Sequence, residues 1–356
     1  MSNSNLNVMA LDDGYGDIKH DNGEFPSLFP SFITPYKPKP KDVFSNSSSQ
    51  DLQYIASEVD GIKYVVGDYA MKLDPDIRWV GGENKHKDSR FPILFKTALG
   101  LMSMSNMEVI DVLMLNLPIR YDTTERRRYL EQIARGVHEV GISFDGEQFL
   151  RKTIAVESVE IKKQPFGSLC EVILDDDGDI INTDLAKGFN VIVDIGSRTL
   201  NVMSLEALEE QPELTTQTND GMYSAYSQIG SFLEDKLGVI IPDGKLPQII
   251  RDKEIKNKDI TPLIEKVYGN HANIIMSTLD KLLISSWGFI TSIIFTGGGS
   301  EVLRPYLDSA FRDVDTIFLD RYSNVKGLRK YGVRQARRKQ GTTNVGIRMG
   351  NNGHKQ

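Results

Sequence analysis

The sequence has few of the residues that build disulfides and metal cages. Cys170 is the single cysteine among 356 residues, so no disulfide can form within the chain and a cysteine-rich metal site is excluded. We treat the five scattered histidines, which lack the spacing of metal ligands, as structural or surface residues: His20, His86, His138, His271 and His354. This composition fits a reducing compartment, and we expect a cytoplasmic protein.

Long apolar runs are also missing. The run from Val8 to Leu11 is too short for a signal peptide. The longest candidate for a membrane span, Leu282 to Phe295, is interrupted by serine, glycine and threonine and falls short of the ~18 apolar residues that a span needs. We therefore expect a protein without a membrane partner.

Several catalytic and ligand-binding motifs are absent. The sequence has no Gly-x-x-x-x-Gly-Lys-Ser/Thr loop, no complete dinucleotide-binding fingerprint, no His-Glu-x-x-His pair and no Gly-x-Ser-x-Gly elbow. The net charge of −7 argues against a surface that coats nucleic acid broadly. Any contact with DNA then has to be local or made through a partner.

The segment from Val8 to Lys19 has the pattern of a strand, a tight turn and a returning strand. An apolar run ends at Asp12, Gly14 and Gly16 follow, and an alternating segment closes with Lys19. The pattern predicts a hairpin whose turn leaves backbone N–H groups free to face a phosphate. Turns of this kind also occur in hairpins without a ligand.

The same pattern returns about half the chain length later. Val191 to Val202 is again an apolar strand, an acid at Asp194, a bend at Gly196 and an alternating return. The repetition predicts two domains of related construction, each presenting a phosphate-binding hairpin to a shared cleft.

Two further features lie between and after the hairpins. Gln164 opens a Gln-Pro-Phe-Gly-Ser-Leu turn, and Thr296 precedes three glycines between a predicted strand and helix. Phosphoryl transfer depends mainly on positioning and charge neutralisation, which two such hairpins, two aspartates, a lysine and a water-orienting glutamine provide. Alternatively, Gln164 is an ordinary polar residue at a strand edge and the glycines form a plain turn.

The rest of the chain alternates strands with helices, which is typical of a helix-covered, mostly parallel sheet. Residues from about 35 to 90 resemble an insertion with its own small β structure. Thr123 or Thr124 is expected to cap a helix with an apolar stripe of Leu130, Ile133, Val137 and Val140, which Gly141 ends. The basic run from Lys326 to Lys339 is either a solvated helix face or a contact for an acidic partner or DNA.

In this order, the four features resemble the superfamily of actin, hexokinase and heat-shock chaperone ATPases, over nearly the whole chain. The resemblance implies an α/β fold in which two related domains flank a nucleotide cleft. Domain I would comprise 1–186 plus 323–341 with the insertion at about 35–90, domain II would comprise 187–322, and 342–356 would be a disordered tail.

The resemblance also implies roles for individual residues. Asp12, Gln164 and Asp194 would be catalytic, with Gln164 positioning water and both aspartates organising Mg²⁺ through water molecules. The implied nucleotide contacts are Asp13, Gly14, Tyr15, Gly16, Lys19, Gly196, Ser197, Arg198, Thr199, Gly221, Gly297, Gly298 and Gly299. The second loop departs from many relatives, because Ser197, Arg198 and Asn201 stand where those have glycine, threonine and an acid. Arg198 either reaches the γ-phosphate or points to solvent.

Within the superfamily, the Gln-Pro-x-Gly-Ser/Thr-Leu and Tyr/Phe-Ser-Asn-Val-x-Gly segments are most similar to ParM-type bacterial actins that segregate plasmids. That resemblance implies ATP or GTP as cofactor with Mg²⁺, self-assembly into filaments, and disassembly controlled by hydrolysis. It implies a small centromere-binding adaptor of the ParR type as partner, and plasmid DNA as an indirect one. The alternatives are a non-polymerising sugar or metabolite kinase of the same fold and a nucleotide-binding switch without turnover.

Overall fold

The structure is a computed structural model that describes residues 6–39, 53–74, 77–81, 85–238, 240–242, 245–308, 310–311 and 314–350. The predicted tail beyond residue 350 and parts of the predicted insertion, 40–52, 75–76 and 82–84, lie outside the described residues. Among the described residues, helices with the length and apolarity needed to cross a membrane are absent.

The described strands fall into two groups along the chain. Those of the first half are β1 (Val8–Asp13), β2 (Asp17–Asp21), β3 (Pro26–Pro30), β4 (Ile33–Pro35), β5 (Ile55–Val59), β6 (Ile62–Val66), β7 (Met107–Ile110), β8 (Val112–Leu117), β9 (Gly136–Ser143), β10 (Leu150–Val156) and β11 (Val159–Lys163). Those of the second half are β12 (Phe189–Ile195), β13 (Leu200–Glu206), β14 (Glu209–Glu210), β15 (Thr216–Thr218), β16 (Glu254–Ile255), β17 (Lys258–Asp259), β18 (Ser292–Thr296) and β19 (Asp315–Phe318).

The α-helices cover the faces of the sheets. They are α1 (Asp68–Leu73), α2 (Phe91–Met102), α3 (Thr124–Ala134), α4 (Phe166–Ile173), α5 (Thr183–Lys187), α6 (Met222–Leu237), α7 (Leu246–Asp252), α8 (Thr261–Leu283), α9 (Gly298–Leu307) and α10 (Ser323–Gly350). The apolar stripe between Gly221 and Gly238 predicts a helix bounded by these two glycines, and Gly221 does precede α6 while Gly238 ends it in the left-handed conformation.

Two of the sheets share one topology. The first has the order β11-β8-β1-β2-β3, with β1 and β2 antiparallel and with β8 and β11 parallel to β1. The second has the order β14-β13-β12-β18-β19, again with a hairpin whose first strand is followed by two parallel strands. Both predicted hairpins are therefore present, and each begins with a strand buried on both faces. The predicted α/β fold with two related halves is confirmed.

A third sheet, in the order β4-β6-β5-β9-β10-β7, contains the predicted insertion. The Asp60-Gly61 pair within an alternating segment predicts a two-residue hairpin, and both residues have the positive φ that it requires, 53° and 77°. This sheet is larger than the insertion predicted at 35–90, because β7, β9 and β10 from residues 107–156 complete it. The insertion is thus not a separate unit.

The stripe predicted to continue a helix through Val137 and Val140 is wrong. Thr123 caps α3 by accepting a hydrogen bond from the N–H of Arg126, but the helix ends at Ala134 and β9 follows. Val140 is buried and Val137 is 69% exposed, an alternation of period two that suits β-branched residues in a strand. The apolar run from 109 to 117 predicts one buried strand, but it is divided at Asp111 between β7 and β8, which belong to different sheets.

Helix α10 returns to the first sheet. Its Val325, Leu328 and Ala336 pack against Val8 and Met114 in a buried apolar cluster. Helix α4 lies between the two halves: Gly167 lies against Asn324 and Leu328 of α10, while Leu169 and Ile173 pack on Ile192 and Met203 of the second sheet. We therefore propose that the boundary between the halves lies near Gln164 rather than at residue 186.

The basic side chains of α10 pair with acids of the same chain. Arg329 lies 3.2 Å from Asp21, Lys330 2.9 Å from Glu171, and Arg337 2.5 Å from Asp177. The basic run is thus largely neutralised within the molecule. The backbone of α10 continues to Gly350. The disordered tail expected at 342–356 stays a prediction.

Candidate functional site

A cleft between the two halves contains a cavity of about 480 Å³, a size suited to a small-molecule ligand. The predicted residues that line it are Gly14, Tyr15, Gly16, Lys19, Gln164, Asp194, Gly196, Ser197, Arg198, Thr199, Gly298 and Gly299. The two hairpin turns face each other, because a Cβ on Gly16 would lie 2.8 Å from Ser197 Oγ. We call residues 13–17 the first loop and residues 195–199 the second loop.

The carbonyl groups of the first loop point away from the cleft. Ser31 donates from its N–H to Gly16 O at 2.8 Å and from its Oγ to Gly14 O at 3.3 Å. Lys85 Nζ donates to Gly14 O at 3.0 Å and to Asp13 O. In a trans peptide the C=O and the following N–H point in opposite directions, so the loop's N–H groups are turned toward the cleft. Among the described residues, none accepts a hydrogen bond from the N–H of Gly14, Tyr15 or Gly16.

The second loop is held by the start of α6. Met222 N–H donates to Gly196 O at 3.0 Å, and Tyr223 N–H donates to Ser197 O at 2.7 Å. Gly221 permits this contact, because a Cβ there would lie 2.6 Å from Thr199 N. Because Gly196 O and Ser197 O are bound to α6, the N–H groups of Ser197 and Arg198 point away from the start of that helix. Both loops line the same cavity, and backbone N–H groups gathered in this way can bind an anion.

A polar cluster lies between the loops. Gln164 Nε2 donates to Asp12 Oδ1 at 2.9 Å, and Asn324 Nδ2 lies 3.5 Å from Asp12 Oδ2. Lys19 Nζ lies 3.8 Å from the same carboxylate. Asn201 Nδ2 approaches Gln164 Oε1 at 3.5 Å, so the glutamine is held from both ends.

The electrostatics of the cluster follow from its burial. Burial raises the pKa of Asp194 to about 6, with Lys19 opposing the shift and Asp12 adding to it. Burial works against the charged form of Lys19 as well, but the carboxylates of Asp12 and Asp194 hold the pKa of Lys19 above its usual range. The site thus concentrates negative charge that a cation can share.

The polar groups of the cluster fit a hydrated magnesium ion. Asn116 is buried and follows Leu115, the partner of Leu11 in the parallel register of β8 and β1. Both of its side-chain polar atoms are unpartnered among the described residues. Asn324 Oδ1 is unpartnered in the same sense. The described residues hold no group of three or more His, Cys, Asp or Glu side chains able to cage a metal directly. Two carboxylates with neighbouring amides suit an ion that keeps most of its water.

Helix α9 begins at the edge of the cleft. Gly297 is its cap and lies against Asp194, while Gly298 and Gly299 line the cavity. A serine after three glycines predicts that Ser300 caps this helix, and that prediction is wrong. Ser300 lies inside the helix, and its Oγ donates to Gly297 O at 2.8 Å, because the three glycines let the backbone turn before the serine is reached.

Side chains of α6, α7 and α8 also line the cavity. Tyr226, Ile250, Ile264 and Tyr268 contribute apolar surface, and Arg251 contributes a charge. Arg198 also lines the cavity and stacks over Tyr223, 4.9 Å from the ring centroid. A flat ring system fits between such walls.

Four predicted contacts do not line the cavity. Asp12, Gly221 and Gly297 lie directly behind residues that do, and Gly221 and Gly297 shape the loops. For Asp13, the prediction of a nucleotide contact is corrected. Alternation along β1 turns its side chain to the opposite face from Asp12, where it lies 3.6 Å from Lys85 in a second cavity.

Sequence reasoning missed Lys85, Asn116, Asn201 and Asn324 as parts of the site. Asn324 belongs to the Tyr-Ser-Asn-Val segment that the resemblance had marked, and Asn116 is a lone amide at the end of an apolar run. Those were the available signals. Lys85 carries no such signal, because its partner is a loop that lies about seventy residues earlier in the chain.

Comparisons with known proteins agree with this geometry. The family model of the N-terminal domain of actin-like proteins matches residues 10–167, and the C-terminal model of archaeal MreB-like actin homologues matches residues 192–309. An archaeal actin homologue of Thermoplasma volcanium is 25% identical over 130 residues, which are 34% of this chain and 39% of that protein. The matched part thus spans about two fifths of that relative.

Solved structures resemble the chain over nearly its whole length. A ParM from a 15-stranded filament of Clostridium botulinum has a TM-score of 0.75 at 21% identity, over 92% of this chain and 99% of that one. An archaeal actin homologue in complex with ADP has a TM-score of 0.71 at 18% identity, over 94% of this chain and 100% of that one. These likenesses show the fold.

The fold, the paired loops and the two family models together place the molecule among proteins built from two related halves around a cleft. The chain belongs to the actin-like superfamily, and its fold is ParM-like.

Proposed function

We propose that this protein is a Mg²⁺-dependent nucleoside triphosphatase that binds ATP or GTP in the cleft and assembles into filaments. The observation that carries the proposal is the pair of loops that line one cavity. Lys85 and Ser31 hold carbonyls of the first loop, and the start of α6 holds carbonyls of the second, which fixes the direction of the N–H groups that follow them. A triphosphate is the ligand whose oxygens can use two such rows of donors at once.

The polar cluster has a role in hydrolysis. Magnesium, when bound with nucleotide, neutralises phosphate charge, and Asp12, Asp194 and the amides around them would hold it through water. Lys19 adds a positive charge beside the first loop.

Gln164 is suited to orient a water molecule. Its Nε2 is committed to Asp12 and its Oε1 is near Asn201, so the amide has one orientation at the edge of the cavity. A neutral amide does not accept a proton near neutral pH, so Gln164 acts by positioning water rather than as a base.

Filament assembly is supported by the similarity to ParM filament structures, and it gives the hydrolysis step a use. We propose that nucleotide binding favours assembly, that hydrolysis controls disassembly, and that the filaments segregate plasmid DNA in the cytoplasm. The contact with DNA would be made through a centromere-binding adaptor of the ParR type. That indirect contact fits a net charge of −7 and a basic helix that is neutralised within the chain.

The experiment is light scattering and pelleting of the purified protein with ATP or GTP, with and without Mg²⁺, alongside phosphate release and negative-stain imaging. We expect polymer with at least one triphosphate and slower phosphate release without Mg²⁺. Turnover that requires a small hydroxyl compound, without polymer, would indicate the kinase alternative. Binding without turnover would indicate the switch.

The segregation step is tested in cells. The gene and its adjoining DNA are placed on an unstable test plasmid, and plasmid loss is compared between the wild-type protein and the Gln164→Ala variant. We expect faster loss with the variant, and equal loss would contradict the role in segregation.

A further inference from the structure

Lys85 lies behind the first loop, on the side opposite the cleft. It belongs to a short 3₁₀ turn, Lys85–Lys87, and is 8% exposed. Its Nζ donates to Gly14 O at 3.0 Å and to Asp13 O, and lies 3.6 Å from Asp13 Oδ2. The ammonium group also lies 4.8 Å from the centroid of the Phe91 ring.

The two carbonyls that Lys85 binds belong to the peptide units that carry the N–H groups of Gly14 and Tyr15. Because a peptide unit is rigid, holding its C=O fixes the direction of its N–H. The N–H of Ser31 binds Gly16 O in the same way, which fixes the direction of the Asp17 N–H. Lys85 therefore orients the two donors at the centre of the first loop.

A buried ammonium group is costly unless it is paired and hydrogen-bonded. Burial lowers the pKa of Lys85, and Asp13 opposes that shift. The carboxylate of Asp13, 3.6 Å from Nζ, thus supplies the counter-charge where the first loop needs a strong donor.

We propose that Lys85 is a positioning residue for triphosphate binding, with Asp13 as its counter-ion rather than a nucleotide contact. Lys85 acts by holding the first loop in the conformation that aims its N–H groups at phosphate oxygens. The inference rests on the proposed function, because it assigns a support to the same phosphate site.

The experiment compares Lys85→Met with the double variant Asp13→Asn/Lys85→Met. The double variant removes both charges and so leaves no unpaired carboxylate in the protein interior. Binding of ATP and GTP with Mg²⁺ is measured beside binding of the nucleosides adenosine and guanosine. Lys152→Met is the matched control, because Lys152 also donates to two backbone carbonyls, Gly100 O at 2.9 Å and Ser103 O at 2.6 Å, outside the cleft.

Both Lys85 variants should lose about tenfold or more in triphosphate affinity, the usual effect of removing a hydrogen bond from a charged group. Nucleoside affinity of the Lys85 variants should stay within about twofold of the wild-type value, because the N–H groups of the loop contact only the phosphates. The Lys152→Met protein should bind all probes as the wild type does. A double variant that binds triphosphate like the wild type would overturn the inference, because Lys85 would then serve only to neutralise Asp13. An equal loss of nucleoside and triphosphate binding would also overturn it, since that result indicates general damage.

The outcomes separate this inference from the proposed function. If the wild-type protein binds neither triphosphate, the proposed function fails and the inference fails with it. If the wild type binds triphosphate and the Lys85 variants bind it equally well, the inference alone fails.

Discussion

The two loops of the cleft reach the same arrangement by different chemistry. The first loop has its carbonyls held by side chains and one amide, from Lys85 and Ser31. The second has its carbonyls held by backbone N–H groups at the start of α6. A side-chain anchor can be removed by substitution, whereas a backbone anchor is lost only when the helix moves. The second loop should therefore tolerate side-chain changes better and backbone crowding worse than the first.

The largest expected effect concerns the residue between the loops. Gln164→Ala should preserve nucleotide binding and assembly while slowing phosphate release about a hundredfold, because water loses its orienting group. Single-turnover phosphate release with a parallel pelleting assay measures both quantities. Lost assembly with unchanged turnover would contradict the assigned role.

Asp12→Ala, in contrast, should weaken binding of the metal–nucleotide complex itself.

The pH dependence of stability compares Asp13 beside the first loop with Asp194 beside the second. Burial raises the pKa of each carboxyl from 3.8 to about 6 in the folded protein. Between these values the folded state binds more protons than the unfolded state, so the stabilising contribution present below pH 3.8 is lost as the pH rises through 6.

Asp194→Asn should therefore flatten the loss of stability between pH 4 and 6. At pH 7.5, without nucleotide, it should raise the free energy of unfolding by about 2 kcal/mol. Asp13→Asn should stabilise less, because it leaves Lys85 buried without its counter-ion. Denaturant unfolding across this pH range measures both variants. A larger gain from Asp13→Asn would show that the Lys85 pair contributes little.

Adding a methyl group beside each loop should show a further difference between the two loops. Gly221→Ala places a Cβ against the backbone of Arg198 and Thr199, whereas Gly16→Ala meets the side chain of Ser197. Backbone yields less easily than a side chain, so we expect Gly221→Ala to cost about 1–3 kcal/mol of stability and Gly16→Ala less. Thermal unfolding and nucleotide titration of both variants test the order, and the reverse order would break the comparison.

The smallest expected effect is that of Ser31→Ala. It removes one neutral hydrogen bond, from Ser31 Oγ to Gly14 O, but keeps the N–H that binds Gly16 O. Triphosphate affinity should fall by less than about tenfold, in line with a net value of about 1 kcal/mol for such a bond. An effect as large as that of Lys85→Met would mean that the charge of Lys85 has no special role.

Local pattern in the sequence was sufficient for much of this structure. The two hairpins, the Asp60-Gly61 turn and the limits of α6 follow from periodicity and glycine placement, which depend on a few neighbouring residues. The change from α3 to β9 was misjudged because Leu130, Ile133, Val137 and Val140 satisfy a helical spacing, while the neighbouring sheet takes Val140 and Ile142 as strand residues.

The sequence by itself determined the order of chemistry along the chain: an acid-glycine turn, a glutamine, a second acid-glycine turn and a glycine-rich helix start. Only the tertiary structure decided that the two turns face each other, that Asp13 points away from the cleft, and that Lys85 and Asn116 belong to the site. The physical reason is that turn geometry and strand burial are set by adjacent residues. Contacts between residues seventy or more positions apart depend on how whole sheets and helices pack.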